Sequence, residues 1–572
     1  MYDGGFVVNL DNSKFIHPSN ILGLLFLTLM VGCITYCCFR VHSDIGPIWD
    51  TYDLLANAAF YAGNDIGYYD PLRPPLMSIL GSLYLEKTLI TWPIMCIDGL
   101  IFVFGSIGLY LLFKLRFDVF SSLLGTLLFV TYPVVLTFAT EGLTDIPSVC
   151  IAIWGLLFTV LAVKKNTRMF YIAFPLLTLA FFTRYSTALF IFPVSLYILI
   201  NRDTFKPWKD IFVGVGTSIM IPFLIFHLYQ VELGNTFISL ANFFKTSSIS
   251  SETVSSMILS YNPDILYYFK LMLFATWFEG MALILVIILG LILFLIRGFK
   301  LNKQKKSSKQ FLKDKWAQSV LTKKKLFLAV FILIIFGLTF DRIHYLVSEV
   351  IFFSFLFLAY NLLQKYKIRD MDFDFLFLSW LMVFFIFHSA YVIKDFRYVI
   401  VMIPPLTYFL IRGFKLATSQ FNLKIRDKNL AHILFSSILI TLTITSALAY
   451  MPVISATNVH LKEMNENSAV ICSWLEHHDP DYKNKVIYSD FWPYTAWHLR
   501  MDVGKMPIFR CNQTIYTGAK DYNFTEQDMQ DYNQVLDNNH ADYYFSRVGA
   551  LNLTNYRLVK KVGDFILYER VK

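Results

Sequence analysis

Five aspartates and an arginine are crowded into one polar stretch of this chain. Residues 44–75 read DIGPIWDTYDLLANAAFYAGNDIGYYDPLRPP, with Asp44, Asp50, Asp53, Asp65 and Asp70 ahead of Arg73. A carboxylate can accept a proton from a reacting hydroxyl or amine, and a guanidinium grips phosphate through two parallel hydrogen bonds. Asp50, Asp53, Asn57 and Tyr61 recur at helical spacing and so share one face of a helix over 49–61. The other face carries Leu55, Ala58, Ala59 and Ala62, which suits a helix lying in a membrane interface. The plain alternative is that Asp50 and Asp53 only support the first helical turn. Pro74 and Pro75 hold Arg73 extended and open a new helix, although an ordinary interfacial arginine would look the same.

Three further clusters stand out. The short segment ATEGLTDIPS, 139–148, carries Glu141 and Asp145 with no basic residue, and Asp145 before Ile146-Pro147 reads as a reactive acid or a helix cap. Arg184-Tyr185 interrupts a long apolar run, so Arg184 either pairs with an acid or marks the tip of a helical hairpin. Lys394, Arg397 and Tyr398 precede Pro404-Pro405, where basic side chains also serve as snorkelling anchors.

The elements that must position these groups are membrane spans. The 572 residues are 56% hydrophobic and only 16% charged, with mean hydropathy +0.53, well outside the range of soluble globular chains. Apolar runs of spanning length fall near 20–39, 91–114, 118–138, 143–163, 169–184, 185–200, 210–230, 269–296, 325–340, 344–363, 373–392, 396–414 and 430–450, thirteen in all. The first reads as a signal anchor rather than a cleaved leader, since no small-residue cleavage site follows it. Lysine and arginine alternate between connections, which places the N-terminus in the cytoplasm and the C-terminal segment outside. The net charge of +9 is mostly the 297–325 run, a cytoplasmic loop without aromatic interleaving, so nucleic acid is not an expected partner.

Residues 452–572 form a separate polar segment. Helices are expected over 468–477 and 525–536, the second capped by Thr525 with Asp528 three residues on. Strands are expected at 486–488 and 541–546, with a hairpin of 556–562 and 564–571 around Gly563. Asn512, Asn523 and Asn552 begin sequons, which suit an extracytoplasmic surface. Seven cysteines show no metal spacing, and Cys472 and Cys511 share the tail, where they could pair.

Ionisable residues at or within spans are costly and point to function. Asp98, Asp145, Arg184, His227, Glu279, Asp341, Arg342, His344, Glu349, His388 and Arg397 all fall toward the outer end of their spans. A lipid-linked-sugar flippase or other transporter, the main alternative, needs such groups in both leaflets. A scaffold whose tail binds a partner would not depend on Asp50 or Arg73.

In the order of its motifs the chain resembles the GT-C superfamily of membrane glycosyltransferases, in the branch of the protein O-mannosyltransferases and the lipid A aminoarabinose transferase. The likeness rests on the acidic first loop ending in Arg73-Pro74-Pro75-Leu76, the short loop with Asp145, Thr183-Arg184-Tyr185, and Phe396-Arg397-Tyr398 running to Pro404. The family's acid typically belongs to an acidic pair, whereas this chain has Trp49-Asp50-Thr51, with Asp44 and Asp53 on either side. The resemblance implies a polytopic α-helical catalytic domain over 1–451, with its first outer loop at 40–90, and an α/β extracytoplasmic domain over 452–572. It implies transfer of a sugar from a polyprenyl phosphate to a hydroxyl or amine of a protein, lipid or glycan. Asp50 is then the best candidate base, with Asp44 and Asp53 next. Asp145 is a second acid beside the acceptor or a metal, so a divalent cation stays open. Arg73, Arg184, Tyr185 and Arg397 fall at donor-phosphate positions. Oligosaccharyltransferases carry a Trp-Trp-Asp signature in their outer domain, which Ser489-Asp490-Phe491-Trp492 does not match.

Overall fold

The computed structural model describes residues 18–64, 66–85, 89–202, 208–229, 238, 241, 264–274, 315–340, 342–366, 368, 370–390, 394–421, 424–425, 428–510, 513–515 and 524–571. Asp65, Cys511, Asn512, Asn523, Glu279 and Asp341 lie outside them.

The membrane region is a helical bundle. Its helices are α1 (Pro18–Ile45), α2 (Trp49–Tyr61), α3 (Leu76–Leu85), α4 (Trp92–Lys114), α5 (Val119–Val130), α6 (Pro133–Phe138), α7 (Asp145–Lys164), α8 (Phe170–Thr183), α9 (Ile191–Ile200), α10 (Trp208–Tyr229), α11 (Tyr267–Phe274), α12 (Lys315–Thr339), α13 (Tyr345–Leu363), α14 (Met371–Ala390), α15 (Ile403–Thr418) and α16 (Leu430–Thr457). Among the described residues eight helical segments are long and apolar enough to cross a membrane. The expected spans at 169–184 and 185–200 are shorter apolar helices. The run 118–138 is split into α5 and α6. Pro133 forces Tyr132 out of helical geometry, to ψ 131°, and the helix restarts behind it. The expected span 269–296 lies almost wholly outside the described residues, and with it the full count of thirteen.

Close helix contacts use small residues, as expected where lipid supplies no hydrophobic drive between helices. At Gly105 of α4 an added Cβ would stand 2.7 Å from the Cys150 Cα of α7, backbone that cannot give way. Gly105→Ala should therefore destabilise the bundle by about 1–3 kcal/mol, read as a lower unfolding temperature in detergent. Gly32→Ala, where nothing lies within 4 Å, is the control that should not move it.

The polar tail carries the expected helices and strands, although the helix expected over 468–477 begins at Val459 and a further helix spans Trp492–Leu499. It contains α17 (Val459–His478), α18 (Trp492–Leu499) and α19 (Glu526–Asn538). In chain order the strands are β1 (Lys424–Ile425), β2 (Lys428–Asn429), β3 (Ile487–Ser489), β4 (Gly504–Lys505), β5 (Ile508–Arg510), β6 (Gln513–Ile515), β7 (Tyr543–Ser546), β8 (Tyr556–Val562) and β9 (Phe565–Arg570). The main sheet has the order β4-β3-β7-β9-β8. β3 runs parallel to β4 and β7, and the β8–β9 hairpin is antiparallel. Gly563, at φ 55°, makes its turn in a region that disfavours other residues.

Strand alternation divides this sheet between two cores. Tyr543, Phe545, Phe565 and Leu567 pack with α17, α18 and, from the membrane region, Tyr52, Leu55 and Ala59 of α2. Tyr544, Ile566 and Tyr568 face the other way, onto Tyr532 and Leu536 of α19. Thr525 and Asp528 form a complete capping box on α19. Thr525→Ala should cost about 1 kcal/mol of tail stability, measurable by hydrogen exchange of α19.

Helix α2 departs from the amphipathic surface helix its sequence suggests. Every residue from Thr51 to Ala59 is buried. The polar face is covered because Asn57 clasps the Asp70 backbone, donating to its carbonyl and accepting from its N–H, both at 2.8 Å. The loop from Ala62 to Pro75 therefore folds back over the acids. The apolar face packs on α3, where Gly81 meets Ala58, and the flank carrying Trp49 and Tyr52 packs on the tail.

Candidate active site

Asp50 sits in the first turn of α2, two residues past the N-cap Ile48. Its carboxylate does not cap the helix. One oxygen accepts from Arg73 Nη2 at 3.0 Å and the other from Arg397 Nη1 at 2.8 Å. Arg73 also pairs with Asp53 and, through Nε at 3.4 Å, with Asp70. Arg397 pairs with Asp395 at 3.0 Å and lies 4.0 Å from Asp145. Asp145 is the first residue of α7 and is ion-paired with Arg184 rather than capping the helix. Arg184 occupies the extended break between α8 and the 3₁₀ turn Tyr185–Phe190, so it both pairs with an acid and tips a hairpin.

The result is one alternating chain of charge: Asp53, Arg73, Asp50, Arg397, Asp145, Arg184. All of it but the buried Asp53 lines a cleft of about 230 Å³ that also takes in Pro74, Tyr185, Ser186, His388 and Tyr398. Two guanidiniums sit beside the Tyr398 ring, Arg184 at 5.2 Å and Arg397 at 5.8 Å from its centre. At these distances the ring face attracts both cations.

The two acids of α2 are tuned in opposite directions. Burial raises the Asp50 carboxyl, but Arg73 and Arg397 outweigh it and hold the group well below the usual carboxylate range. At Asp53 burial dominates, against Arg73 and the Tyr68 hydrogen bond, and lifts the carboxyl to about 6. Asp53 is almost fully buried, and Tyr68 Oη donates to it at 2.6 Å.

The remaining sequence candidates fall elsewhere. Asp44 pairs with Lys462 of α17 at 2.8 Å on an exposed surface and does not reach the cleft. Glu141 turns away from it, toward His42 Nε2 at 3.4 Å, and burial raises its carboxyl to about 8. Its segment nonetheless braces the site. Thr51 donates to the Glu141 carbonyl at 2.9 Å, and Asp98 accepts the Gly142 N–H at 3.0 Å.

Several participants were not singled out from sequence. Tyr68 holds Asp53, Asp395 holds Arg397, and Ser186 accepts from Arg184 Nε at 3.2 Å. Asp395 sits two residues before Arg397, and a stronger weight on acids beside site arginines would have found it. Tyr68 had no such signal, because the loop fold brings it back across fifteen residues. Lys394 is buried and donates to the carbonyls of His388 and Ser389 at 2.7 and 2.6 Å, closing α14 before the Arg397 turn. Among the described residues no group of three or more His, Cys, Asp or Glu could hold a metal ion. Asp490, in the tail segment compared with the oligosaccharyltransferase signature, accepts the Arg547 backbone N–H and the Tyr544 hydroxyl inside the sheet.

Residues 74–228 match the protein family described as dolichyl-phosphate-mannose-protein mannosyltransferase. Across the whole chain, ArnT from Cupriavidus metallidurans bound to undecaprenyl phosphate superposes with TM-score 0.51 at 12% identity, covering 95% of this chain and 97% of that one. The apo form of the same protein gives 0.50 at 13% identity, covering 96% and 98%. This chain has the GT-C fold. The oligosaccharyltransferase AglB from Archaeoglobus fulgidus, in complex with an inhibitory peptide and a dolichol-phosphate, aligns at TM-score 0.45 and 11% identity, covering 91% of this chain and 69% of that one. No curated protein matches in sequence. With eight helical segments of spanning length among the described residues the chain is a multi-pass membrane protein, and Arg73, Asp145, Arg184 and Arg397 meet at one cleft.

Proposed function

We propose that this protein transfers a sugar from a polyprenyl-phosphate-linked donor to an acceptor hydroxyl or amine by a single inverting displacement. The observation that carries this reading is the Asp50 carboxylate shared between Arg73 and Arg397 at a polar cleft. The cleft offers what the reaction consumes and releases: a carboxylate for the acceptor proton and guanidiniums for the departing phosphate. The match of 74–228 and the bound lipid phosphate in ArnT support the same donor class.

In this reading Arg73, Arg397 and Arg184 take the phosphate oxygens, with Tyr185 at the edge of the site. As phosphate draws on their hydrogen bonds, Asp50 loses its charge partners and becomes a stronger base. It removes the acceptor proton while the acceptor attacks the anomeric carbon. The polyprenyl phosphate leaves, and its growing charge falls on preorganised donors. Phosphate is already a good leaving group, so a general acid is not required, unlike glycoside hydrolysis. Asp145 orients Arg184 and Arg397 and lies where an acceptor amine or hydroxyl can reach it. We place the cleft and the 452–572 domain on the extracytoplasmic side and the N-terminus in the cytoplasm, following the lysine and arginine asymmetry. Residues 1–451 form the catalytic membrane part in this division.

The test is turnover of radiolabelled polyprenyl-phosphate sugars by the purified protein. Release of free polyprenyl phosphate with label moved to an acceptor is expected. Movement of intact donor between leaflets without bond cleavage would favour the transporter and overturn the proposal.

A further inference from the structure

The underside of α2 is built from the tail. Trp49 meets Phe491 and Trp492 edge-on, with ring centres 5.2 and 4.6 Å apart. Tyr52 packs on Tyr494 at 4.3 Å and donates its hydroxyl to Asn465 Oδ1 of α17 at 2.9 Å. Asn465 in turn donates to the Ile45 carbonyl at 2.9 Å, fixing the end of α1 just ahead of α2.

The loop above α2 is held from the same side. Gly67, at φ 81°, lies so close to the tail that an added Cβ would stand 2.8 Å from the Asp502 backbone nitrogen. The next residue, Tyr68, donates to Asp53 at 2.6 Å, and Trp492 of the tail lies beside it. Lys505 stands over both rings, 6.0 Å from Tyr68 and 5.5 Å from Trp492. The tail therefore packs against the loop at Gly67 and Tyr68, and hydrogen bonds run on from Tyr68 to Asp53 and through Arg73 to Asp50.

We infer that the C-terminal domain is a clamp for the reactive helix, with Tyr68 and Trp492 as positioning residues that keep Asp53 and Arg73 in register with Asp50. Its role in catalysis rests on the sugar-transfer reading above, while its geometry does not. An acid that carries a phosphate-binding arginine must stay charged to keep that arginine in place. The groups facing Asp53 are Arg73, Asp50, Asp70 and the Tyr68 phenol. Removing the phenol O–H takes away a bond that favours the ionised form, so the Asp53 protonation midpoint must rise. The ionised form is the competent one, so activity is lost as pH falls through that midpoint.

The test is an infrared pH titration of the full-length protein in detergent, with no ligand added. The Asp53 carboxylic band is assigned by its disappearance in Asp53→Asn. Tyr68→Phe should raise the midpoint from near 6 by about half a unit or more. Trp492→Phe, which keeps an aromatic ring in place, should move it the same way by less. Thr525→Ala loosens the tail from its far face and should leave the midpoint unmoved. In turnover, Tyr68→Phe should lower kcat by about tenfold or more, with donor KM little changed and the acid limb displaced upward. An unmoved midpoint in Tyr68→Phe, or an equal shift in Thr525→Ala, would overturn the clamp. A raised midpoint in a protein that transfers no sugar would support the clamp and remove the transfer reading instead.

Discussion

Asp50→Asn is expected to lower the rate of sugar transfer by about 10²–10⁴-fold, the usual contribution of a positioned base. At the upper end this is about 5 kcal/mol of transition-state stabilisation. The variant should still fold. Arg73 retains Asp53 and Asp70, and Arg397 retains Asp395 with Asp145 nearby, so neither guanidinium is left buried and alone. Asparagine keeps the volume of the side chain while removing its basicity. Donor affinity should be unchanged or slightly higher, because one competitor for the two arginines has lost its charge. Measuring kcat and KM separately over donor concentration checks this. A variant with full kcat would move the base to Asp53, or to Asp44 if the loop rearranges.

Arg397→Ala carries the second large effect. Its guanidinium reaches Asp50 at 2.8 Å and Asp145 at 4.0 Å, joining the two halves of the cleft. Losing one donor to a developing charge costs about 10²–10³ in rate. Here the loss should fall on kcat more than on KM, since the charge on the phosphate grows as the bond breaks. Arg397→Lys should not restore the rate. An ammonium cannot make two parallel contacts or stack beside Tyr398 as the planar fork does. Rates for both variants against a thermal-unfolding control distinguish this from simple loss of structure.

Much of the site was legible because charge in a membrane protein is costly and therefore informative. Arg184 stood out within an apolar run, and the structure pairs it with Asp145. Arg73 stood out before Pro74-Pro75 and Arg397 in a basic cluster ahead of Pro404-Pro405, and both converge on Asp50. The tail was legible for a different reason: its turns and caps are local. Gly563 and the Thr525–Asp528 box act within a few residues of themselves, and both are found in place.

What sequence did not show was contact between distant segments. The pattern of α2 fits a helix with one wet face, because periodicity reports which side chains share a face and not what covers them. Both faces are covered, the polar one by the returning loop around Tyr68 and Asp70 and the apolar one by α3, while Phe491, Trp492 and Tyr494, more than four hundred residues away, close the flank at Trp49 and Tyr52. Asp44 shares the composition of the acidic loop but lies at the end of α1, where the tail helix α17 meets it with Lys462. Six residues along the chain separate it from Asp50 and from a different environment. The split of the 118–138 run was readable in Pro133, which a hydropathy window averages away.

The most direct measurement is a single-turnover reaction of the purified protein with a polyprenyl-phosphate sugar of known anomeric configuration, followed by proton NMR of the product. Single displacement with Asp50 as base requires the new glycosidic bond to carry the opposite configuration, and requires Asp50→Asn to leave the donor bound and intact. A product with the donor's configuration, or equal turnover by Asp50→Asn, would contradict it.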